Sequence, residues 1–557
     1  MTPSSARDGA ETFGKPVRSG DRAATVLRLV GLAPALFVAL FFAWPVAAIV
    51  ARGLSGGGLG EVLSDATLRR VAWFTVWQAV VSTVAAVTLG LPLAFVLSRY
   101  RFRGRSFVES VLVVPFVLPT VVVGAAFLAL LHGRQSVVGV VLAHVFFNVP
   151  VVVRTMTPLW RKLDPRFADA ARTLGAGPVQ VWRTITLPLL RQAVLAAAGI
   201  VFLFTFTSFG VVLLLGGPRR RTLEVEIYQR TAQQLDLRSA ASLSLLQLIM
   251  LGGLLLWSSQ RQRRSAVQQR LVDLSRPARL GVLVPILATA LVLFGLPIVA
   301  LVRRAGQWSM VFSGSGRNAL FMSLRTAFVA AAVATLLGGM ASVAIAANRR
   351  AGRWLDAGLM LPLGTSAVTV GFGLLITFNR APLDLRGSAV IVPLAHALIG
   401  LPFVVRSVVP VLRSIDPRQR DAAAMLGATP TQSWWSIDAP LLRRGLLTGL
   451  GFAFAISLGE FGATSFLIRR GSPTLPTLIG ELLGKPGVAN NQRAYALAVV
   501  LAVVTAAVML AVDALSASTN RPWHSARNRL DKPVSGNLAH GRSHLSGGPA
   551  NTRSAVR

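Results

Sequence analysis

The chain has 557 residues, of which 53% are hydrophobic and only 14% are charged, and its mean hydropathy is +0.61. This composition excludes an ordinary soluble protein, in which about a quarter of the residues are charged, and it predicts a membrane protein with several spans. The absence of cysteine excludes disulfides and thiolate chemistry. The net charge of +36 does not indicate nucleic-acid binding, because the basic residues lie between apolar runs, where they set topology.

Apolar runs of about 20 residues predict an all-α, polytopic transmembrane helical bundle of about twelve spans. The predicted spans of the first half are 29–51, 71–97, 107–131, 136–158, 192–216 and 239–258. Those of the second half are 281–302, 319–347, 356–378, 388–411, 444–467 and 494–516. The first run is too long for a signal peptide and has no clear cleavage site, so we expect it to be retained.

Polar segments separate and flank the two predicted six-span repeats. The predicted boundaries are 1–28 for a disordered cytoplasmic tail, 29–259 for the first repeat, 260–280 for a basic cytoplasmic linker, 281–517 for the second repeat and 518–557 for a disordered tail. With both termini in the cytoplasm, about two-thirds of the 57 Lys and Arg residues fall on the inside, as the positive-inside rule requires. The outer loop 216–230 is the main exception.

One half-polar segment occurs twice. "DAARTLGAGPVQVWRTITLPLLR" at 169–191 returns as "DAAAMLGATPTQSWWSIDAPLLR" at 421–443, 252 residues later. The same offset relates His144 to His396 and "SFG" to "EFG". Because each half has an even number of predicted spans, the halves share one orientation, which implies a pseudo-two-fold axis along the membrane normal. A substrate path is expected on that axis.

Each copy of the segment reads as a helix, a turn and a second helix on the cytoplasmic side. An Asp-Pro pair predicts the helix start, and Gly175 or Gly427 breaks the helix. One interpretation is a pair of helices lying against lipid headgroups. The other is a docking site for a cytosolic partner, and two symmetric copies would suit a two-fold partner.

The repeated segment resembles the EAA signature of permease subunits of ABC importers, with Asp in place of the usual Glu. The resemblance covers most of both halves and implies the MetI-like fold of type I importer permeases. It also implies coupling helices that bind a dimeric cytosolic ATPase. The residues that carry this implied role are Asp169, Ala170, Ala171, Gly175 and Pro188 in the first copy and Asp421, Ala422, Ala423, Gly427 and Pro440 in the second.

The chain contains no G-x-x-x-x-G-K-[ST] loop. We therefore expect ATP and magnesium to bind a separate ATPase chain, with no cofactor in this one, and solute to arrive on a separate extracytoplasmic binding protein. "LAHVFFNVP" (142–150) and "FTSFGVVLLLGGPRRRTLEVEIYQ" (206–229) resemble fused permeases for thiamine, within a subgroup that also serves ferric iron. "SLGEFGATSFL" (457–467) is similar to permeases for iron and for oxyanions. Thiamine and ferric iron both remain open as substrates.

Four residues are candidates for the translocation path or a gate. Glu460 is an acid within a predicted span, which is costly in lipid and by default functional. Its repeat partner is Ser208, and the adjacent Phe209 and Phe461 are candidates for an aromatic gate. The alternatives are a structural hydrogen bond for the acid and ordinary packing for the two rings. For the paired histidines, interhelical hydrogen bonds are favoured over metal binding.

Two other functions are weighed against the importer. A gradient-driven secondary transporter also often has two parallel six-span halves, but it needs coupling acids inside the bundle, and only Glu460 fits. A membrane-embedded enzyme needs clustered nucleophiles or acids within the spans, and the sequence has no such cluster. The repeated segment favours a permease and not an enzyme.

Overall fold

The structure is a computed structural model. It describes residues 19–518 except for 56–57, 113, 165, 263–275, 278–279, 348, 380–382, 386–387 and 469–470. Most of the predicted linker 260–280 and nearly all of the predicted tail 518–557 therefore lie outside the described residues, as do residues 1–18. The first helix begins at Ser19, within the predicted tail 1–28.

The described elements are almost all helical, and the second half repeats the order of the first. In the first half they are α1 (Ser19–Val38), α2 (Trp44–Leu54), α3 (Gly58–Ser64), α4 (Ala66–Arg99), α5 (Arg105–Val111), α6 (Val114–Val117), α7 (Thr120–Leu130), α8 (Val137–Arg161), α9 (Arg166–Thr173), α10 (Pro178–Val181), α11 (Leu187–Phe206), α12 (Gly210–Leu215), α13 (Leu223–Ala232) and α14 (Leu237–Gln262). In the second they are α15 (Leu280–Arg304), α16 (Trp308–Val311), α17 (Gly314–Ala347), α18 (Arg349–Met360), α19 (Ala367–Thr377), α20 (Ile391–Ser414), α21 (Pro417–Met425), α22 (Pro430–Ser433), α23 (Ala439–Gly459), α24 (Thr464–Leu467), α25 (Leu475–Leu483) and α26 (Val488–Ser518).

Short non-α elements join these helices. Three π-helical turns, Ala39–Ala43, Trp182–Thr186 and Trp434–Asp438, lead into α2, α11 and α23, and a 3₁₀ turn, Leu361–Gly364, follows α18. The two-residue strands β1 (Tyr100–Arg101) and β2 (Arg276–Pro277) pair in parallel. The strands bring the end of α4 next to the predicted linker.

The all-α transmembrane bundle is confirmed, but the count of twelve spans is not. Among the described residues, ten helices are long and apolar enough to cross a membrane, or eleven if one bent pair forms a single span. The difference lies in the third predicted span of each half. Predicted span 107–131 is divided into α5, α6 and α7. Predicted span 356–378 bends by 100° between Gly364 and Ala367.

Both breaks have local causes. Pro119 directly precedes α7 and has no backbone N–H, so the helix restarts at Thr120. Ser366 precedes α19, and its Oγ accepts a hydrogen bond from Val368 N at 3.0 Å, which satisfies one free amide at the new helix start. Each restarted helix has 11 residues, a length of about 17 Å, which is short of a bilayer core.

The core of each half is built from its second, fourth and fifth spans, which are α4, α8 and α11 in the first half and α17, α20 and α23 in the second. Glycine permits the closest approach. A methyl group at Gly90 would lie 2.8 Å from Val152 Cβ, and one at the repeat-related Gly338 would lie 2.8 Å from Val404 Cβ. Small residues at such contacts are typical of helices packed within membranes.

The first span of each half packs against the other half. α1 and α2 contact α17 and α19, and α15 contacts α7. The Phe41 and Phe378 ring centroids are 5.3 Å apart, and those of Phe146 and Phe294 are 5.5 Å apart. Each half thus packs its first span against the other half, and these apolar contacts join the two repeats into one bundle.

Gly371 provides a test of this close packing. A methyl group there would lie 2.6 Å from Ala463 Cα and 2.9 Å from Ala463 O, and backbone atoms cannot move aside as a side chain can. Gly371→Ala is therefore expected to lower the free energy of unfolding by about 1–3 kcal/mol. The control is Gly358→Ala, at another helical glycine where a methyl group meets nothing within 4 Å. An SDS unfolding titration of both variants measures the difference, and equal stability would contradict the packing.

Candidate functional site

Extended by the five preceding residues, the first repeated segment (164–191) and the second repeated segment (416–443) begin with the same helix cap. Asp164 Oδ1 accepts a hydrogen bond from Arg166 N at 2.9 Å, and Asp416 Oδ1 accepts one from Arg418 N at 3.0 Å. A carboxylate in this position satisfies an amide at the helix start and interacts favourably with the helix dipole. The predicted helix start is confirmed in both copies.

Both first helices end in a left-handed glycine. Gly175 has a φ of +85° and Gly427 a φ of +82°, in the region that favours glycine. After each glycine the backbone turns back towards the end of the helix. Ala176 N donates a hydrogen bond to the Ala171 carbonyl at 3.0 Å, and Ala428 N donates one to the Ala423 carbonyl at 3.0 Å. These bonds cap the end of each helix. The predicted helix–turn–helix shape is confirmed.

The repeated segments return to the membrane through the same irregular turn. A π-helical turn precedes Pro188 in the first copy and Pro440 in the second, and each proline lies at the start of a long helix, α11 or α23. A proline ring clashes with the carbonyl four residues earlier in a regular α-helix, and the wider π turn relieves that clash. Both prolines are therefore part of the joint between the segment and its span.

The outer tips of the segments are apolar and exposed. Leu174 is 88% exposed, its repeat partner Leu426 is 89% exposed, and Met425 is 90% exposed. Ala170 and Ala422 are exposed as well, whereas Ala171 and Ala423 are half-buried. Side chains such as Leu174 and Met425, exposed at the tip of a small projecting helix, suit contact with a partner surface.

The charged residues differ between the two copies. Asp169 pairs with Arg172 at 3.0 Å, and both side chains are about half exposed, while Asp421 is exposed on α21. In the second copy only, Arg420 binds the buried carboxylate of Asp438 at two oxygens, with Nε at 3.1 Å from Oδ1 and 3.2 Å from Oδ2.

The hydrogen bonds to Asp438 raise the pKa of the Arg420 guanidinium. Neither Asp438 nor Arg420 was identified as a candidate from the sequence. The signal was available, because opposite charges occur together at 420 and 438 where the first copy has Ala168 and Thr186.

At the far end of each long helix the chain breaks. α11 ends at Phe206 and α12 begins at Gly210. α23 ends at Gly459 and α24 begins at Thr464. The predicted spans 192–216 and 444–467 are therefore wrong as continuous helices. All four path candidates lie in these two breaks and are buried.

The breaks bring Phe209 and Phe461 together across the two halves. Their ring centroids are 5.3 Å apart at an interplanar angle of 28°. Tyr228 of α13 packs edge-on against Phe209 and also against Phe466 of α24. Stacked rings at this separation are in van der Waals contact, so no solute fits between them in this conformation.

Glu460 lies in the break after α23, and its carboxylate accepts hydrogen bonds from nearby residues of the chain. Oε1 accepts from Ala463 N at 2.9 Å, and Oε2 accepts from Thr464 N at 3.0 Å and from Thr464 Oγ1 at 2.6 Å. His396 Nε2 lies 3.3 Å from the same carboxylate. Glu460 therefore lies at a helix break and not within a continuous helix. The geometry instead supports the alternative of a structural hydrogen bond, which holds the segment that carries Phe461.

The two histidines join elements in the manner expected of interhelical hydrogen bonds. His144 lies between Ser82 Oγ, 3.1 Å from Nδ1, and Ser208 Oγ, 2.8 Å from Nε2. His396 lies between Ser457 Oγ and Thr464 Oγ1, each at 2.7 Å. Each histidine thus fixes the break of its own half.

Glu224 is a buried acid that sequence reasoning missed. It lies on α13, and Ser366 Oγ, in the other half, donates to its Oε2 at 2.7 Å. Its second oxygen accepts from the side-chain amide of Gln247. The repeat partner of Glu224 is Pro476, so comparing the halves could have marked the position as exceptional.

The family described as binding-protein-dependent transport system inner membrane component matches the chain twice, at 86–269 and at 334–521. The chain belongs to this family. It is a multi-pass inner membrane protein with two fused permease halves. It is the transport subunit of an ABC importer. Membership implies an ATPase and a substrate-binding protein as partners.

Full-length relatives cover most of the chain. The thiamine transport system permease protein ThiP of Brucella abortus (strain 2308) is 29% identical over 511 residues, which is 85% of this chain and 92% of that protein. ThiP of Escherichia coli (strain K12) is 26% identical over 465 residues, 76% of this chain and 85% of that protein. The sulfate transport system permease protein CysT of Salmonella typhimurium is 29% identical over 257 residues, 42% of this chain and 92% of that protein.

The positive φ angles of Gly175 and Gly427 yield a first prediction for the repeated segments. Replacing both by Val is expected to cost about 1–2 kcal/mol at each turn, because a side chain clashes in the left-handed region. The turn then opens, and we expect a partner ATPase to be lost on purification while the chain still inserts. Gly177→Val is the matched control, since Gly177 is exposed at φ −68°. Normal ATPase co-purification with the double variant would contradict the docking role.

The hydrogen bonds of Glu460 yield a second prediction. Glu460→Ala leaves buried amides without acceptors, which is expected to lower the free energy of unfolding by about 1–3 kcal/mol. The control is Glu481→Ala, which removes an exposed pair with Lys485 and is expected to cost less than about 1 kcal/mol. An SDS unfolding titration compares the two. A Glu460 variant as stable as the control would show that these bonds do not hold the break.

Proposed function

We propose that this chain forms the translocation path of an ATP-driven importer for thiamine. The observation that carries the importer function is the pair of projecting helices with exposed apolar tips at equivalent places in the two halves, at Leu174 and at Leu426. The substrate is taken from the full-length relatives, whose names state thiamine transport. A relative named for sulfate matches too, but over 42% of this chain.

The partners follow from the same proposal. A cytosolic ATPase dimer grips the two repeated segments, and ATP and magnesium bind that dimer rather than this chain. An extracytoplasmic binding protein delivers the solute at the opposite end. Both termini face the cytoplasm, and this orientation rests on the Lys/Arg asymmetry of the loops. The five residues proposed in each copy, from Asp169 to Pro188 and from Asp421 to Pro440, act in ATPase coupling.

The proposed mechanism uses the two long helices as connectors. Each repeated segment leads through a π turn into α11 or α23, and those helices end beside Phe209 and Phe461. When the ATPase closes, the segments move together, and the far ends of the helices separate the stacked rings. Ser208 and Glu460 hold the ring-bearing segments in place through His144 and His396. Solute then passes along the pseudo-two-fold axis.

A gradient-driven transporter is the second candidate. This hypothesis requires Glu460 as the coupling acid. The Glu460 carboxylate, however, already accepts three hydrogen bonds within its own segment. An ion-coupling acid must instead exchange partners during transport. The projecting segments also have no role in such a transporter. Ferric iron is a second candidate substrate, on the sequence similarity to iron permeases.

Uptake into proteoliposomes tests the proposal. The chain is reconstituted with its cognate ATPase and binding protein, and labelled thiamine, ferric iron and sulfate are offered in parallel. We expect thiamine uptake at least about tenfold above the other two solutes, since a specific site rejects poor matches by that order or more. The signal must vanish without ATP.

Each other result has a defined meaning. Preferred uptake of ferric iron or sulfate would replace the substrate and keep the importer class. Uptake of thiamine that persists without the ATPase and follows an imposed ion gradient would contradict the importer class. A variant expected to lose ATPase binding, such as the double glycine-to-valine change above, serves as the inactive control.

A further inference from the structure

A buried acid lies at each end of α23. Asp438 directly precedes this helix and is 3% exposed, and Glu460 directly follows it and is 8% exposed. The 21 residues between them form one helix, about 32 Å long. Glu460 holds the segment that begins with Phe461, as described above. Asp438 holds the other end.

Asp438 ties α23 to the projecting helix α21. Its Oδ1 accepts a hydrogen bond from Arg420 Nη2 at 2.5 Å and its Oδ2 accepts one from Arg420 Nε at 3.2 Å, and Arg420 directly precedes Asp421 on α21. Two parallel N–H···O bonds fix both the distance and the angle between the groups. The carboxylate is buried and the Arg420 side chain is 46% exposed, so water screens the contact in part. The second repeated segment is thus fastened to its span at a defined angle.

At the matching described positions of the first half, no charged pair is possible. Ala168 and Thr186 occupy the positions of Arg420 and Asp438, and Ser208 occupies the position of Glu460. There the π turn contacts α8 through stacked rings of Trp160 and Trp182, with centroids 5.5 Å apart. The ion pair of the first copy, Arg172 with Asp169, lies within α9 and does not reach α11. The two halves therefore join the repeated segment to its span through different contacts.

We propose that Arg420 and Asp438 are positioning residues that couple the second repeated segment rigidly to α23, so that movement of this segment is passed to Phe461 at the far end. This inference rests on the proposed ATPase docking. It assigns the two halves different tasks: the second drives the ring pair apart, and the first follows through apolar contacts. A merely structural role would affect folding in general and would leave the ratio of transport to hydrolysis unchanged.

The test compares neutral, conservative and control variants. Arg420→Gln with Asp438→Asn removes both charges together and leaves no unpaired buried ion. Arg420→Lys keeps the charge but loses the two-point contact. Arg105→Gln is the control, since it removes a partly exposed pair with Glu109 in the first half, outside the repeated segments. ATPase co-purification, ATP hydrolysis and thiamine uptake are measured for each variant in proteoliposomes.

A distance measurement reports the far end directly. The chain has no cysteine, so Gln234→Cys with Val488→Cys accepts two spin labels without background. Both positions are exposed near the ends of helices opposite the repeated segments, one in each half. The distance between the labels is recorded without nucleotide and with ATP trapped by vanadate.

The double neutral variant is expected to retain the ATPase and its hydrolysis but to lose about tenfold in uptake per ATP, the size of a typical coupling between sites. Its label distance should no longer respond to trapped ATP. Arg420→Lys is expected to lose about threefold, and Arg105→Gln to match the unsubstituted chain.

Uptake per ATP within about twofold of the unsubstituted chain in both Arg420 variants would overturn the inference, as would an equal loss in the Arg105 control. If the double variant does not fold, Arg420→Lys alone decides. A failure of the unsubstituted chain to retain the ATPase would overturn the proposed function instead, so the two failures are distinguishable.

Discussion

Breaking a helix inside a membrane frees backbone groups that lipid cannot satisfy, and this constraint governs the centre of the molecule. After α23 the carboxylate of Glu460 replaces the missing partners, accepting from the amides of Ala463 and Thr464. After α11 the break is held by Ser208 and His144. Without such substitutes the long helices would continue, and Phe209 and Phe461 would not meet.

Close packing supplies the second requirement, because the broken segments must be held by their neighbours. Gly371 lets α19 reach the backbone of Ala463 within the second break. Gly90 and Gly338 let the second and fourth spans of each half approach. Since apolar side chains gain little by leaving lipid for a protein interior, this intimate contact, and not hydrophobic burial, stabilises the bundle. The exchanged first spans extend the same contacts between halves.

The two halves of the chain match in the order of their helices but differ at residues where function is expected. Ser208 is matched by Glu460, Glu224 by Pro476, and Thr186 by Asp438. All three acids are buried, and each makes a hydrogen bond that its counterpart does not make. The two halves have similar helix arrangements, and the differences between them lie at the joints between helices. A single solute crossing a pseudo-symmetric path does not need two identical linings.

The sequence by itself determined the all-α membrane fold, the parallel repeat and the helix–turn–helix form of the repeated segments. These depend on local properties: apolar run length, the Asp164 and Asp416 caps, and the turn at Gly175 and Gly427. Only the tertiary structure decided that the third and fifth predicted spans are broken, that the first spans exchange, and that Arg420 reaches Asp438. Hydropathy averages composition over a window, whereas a break survives only if another part of the chain supplies hydrogen-bond partners. Those partners are distant in sequence, so no local pattern revealed them.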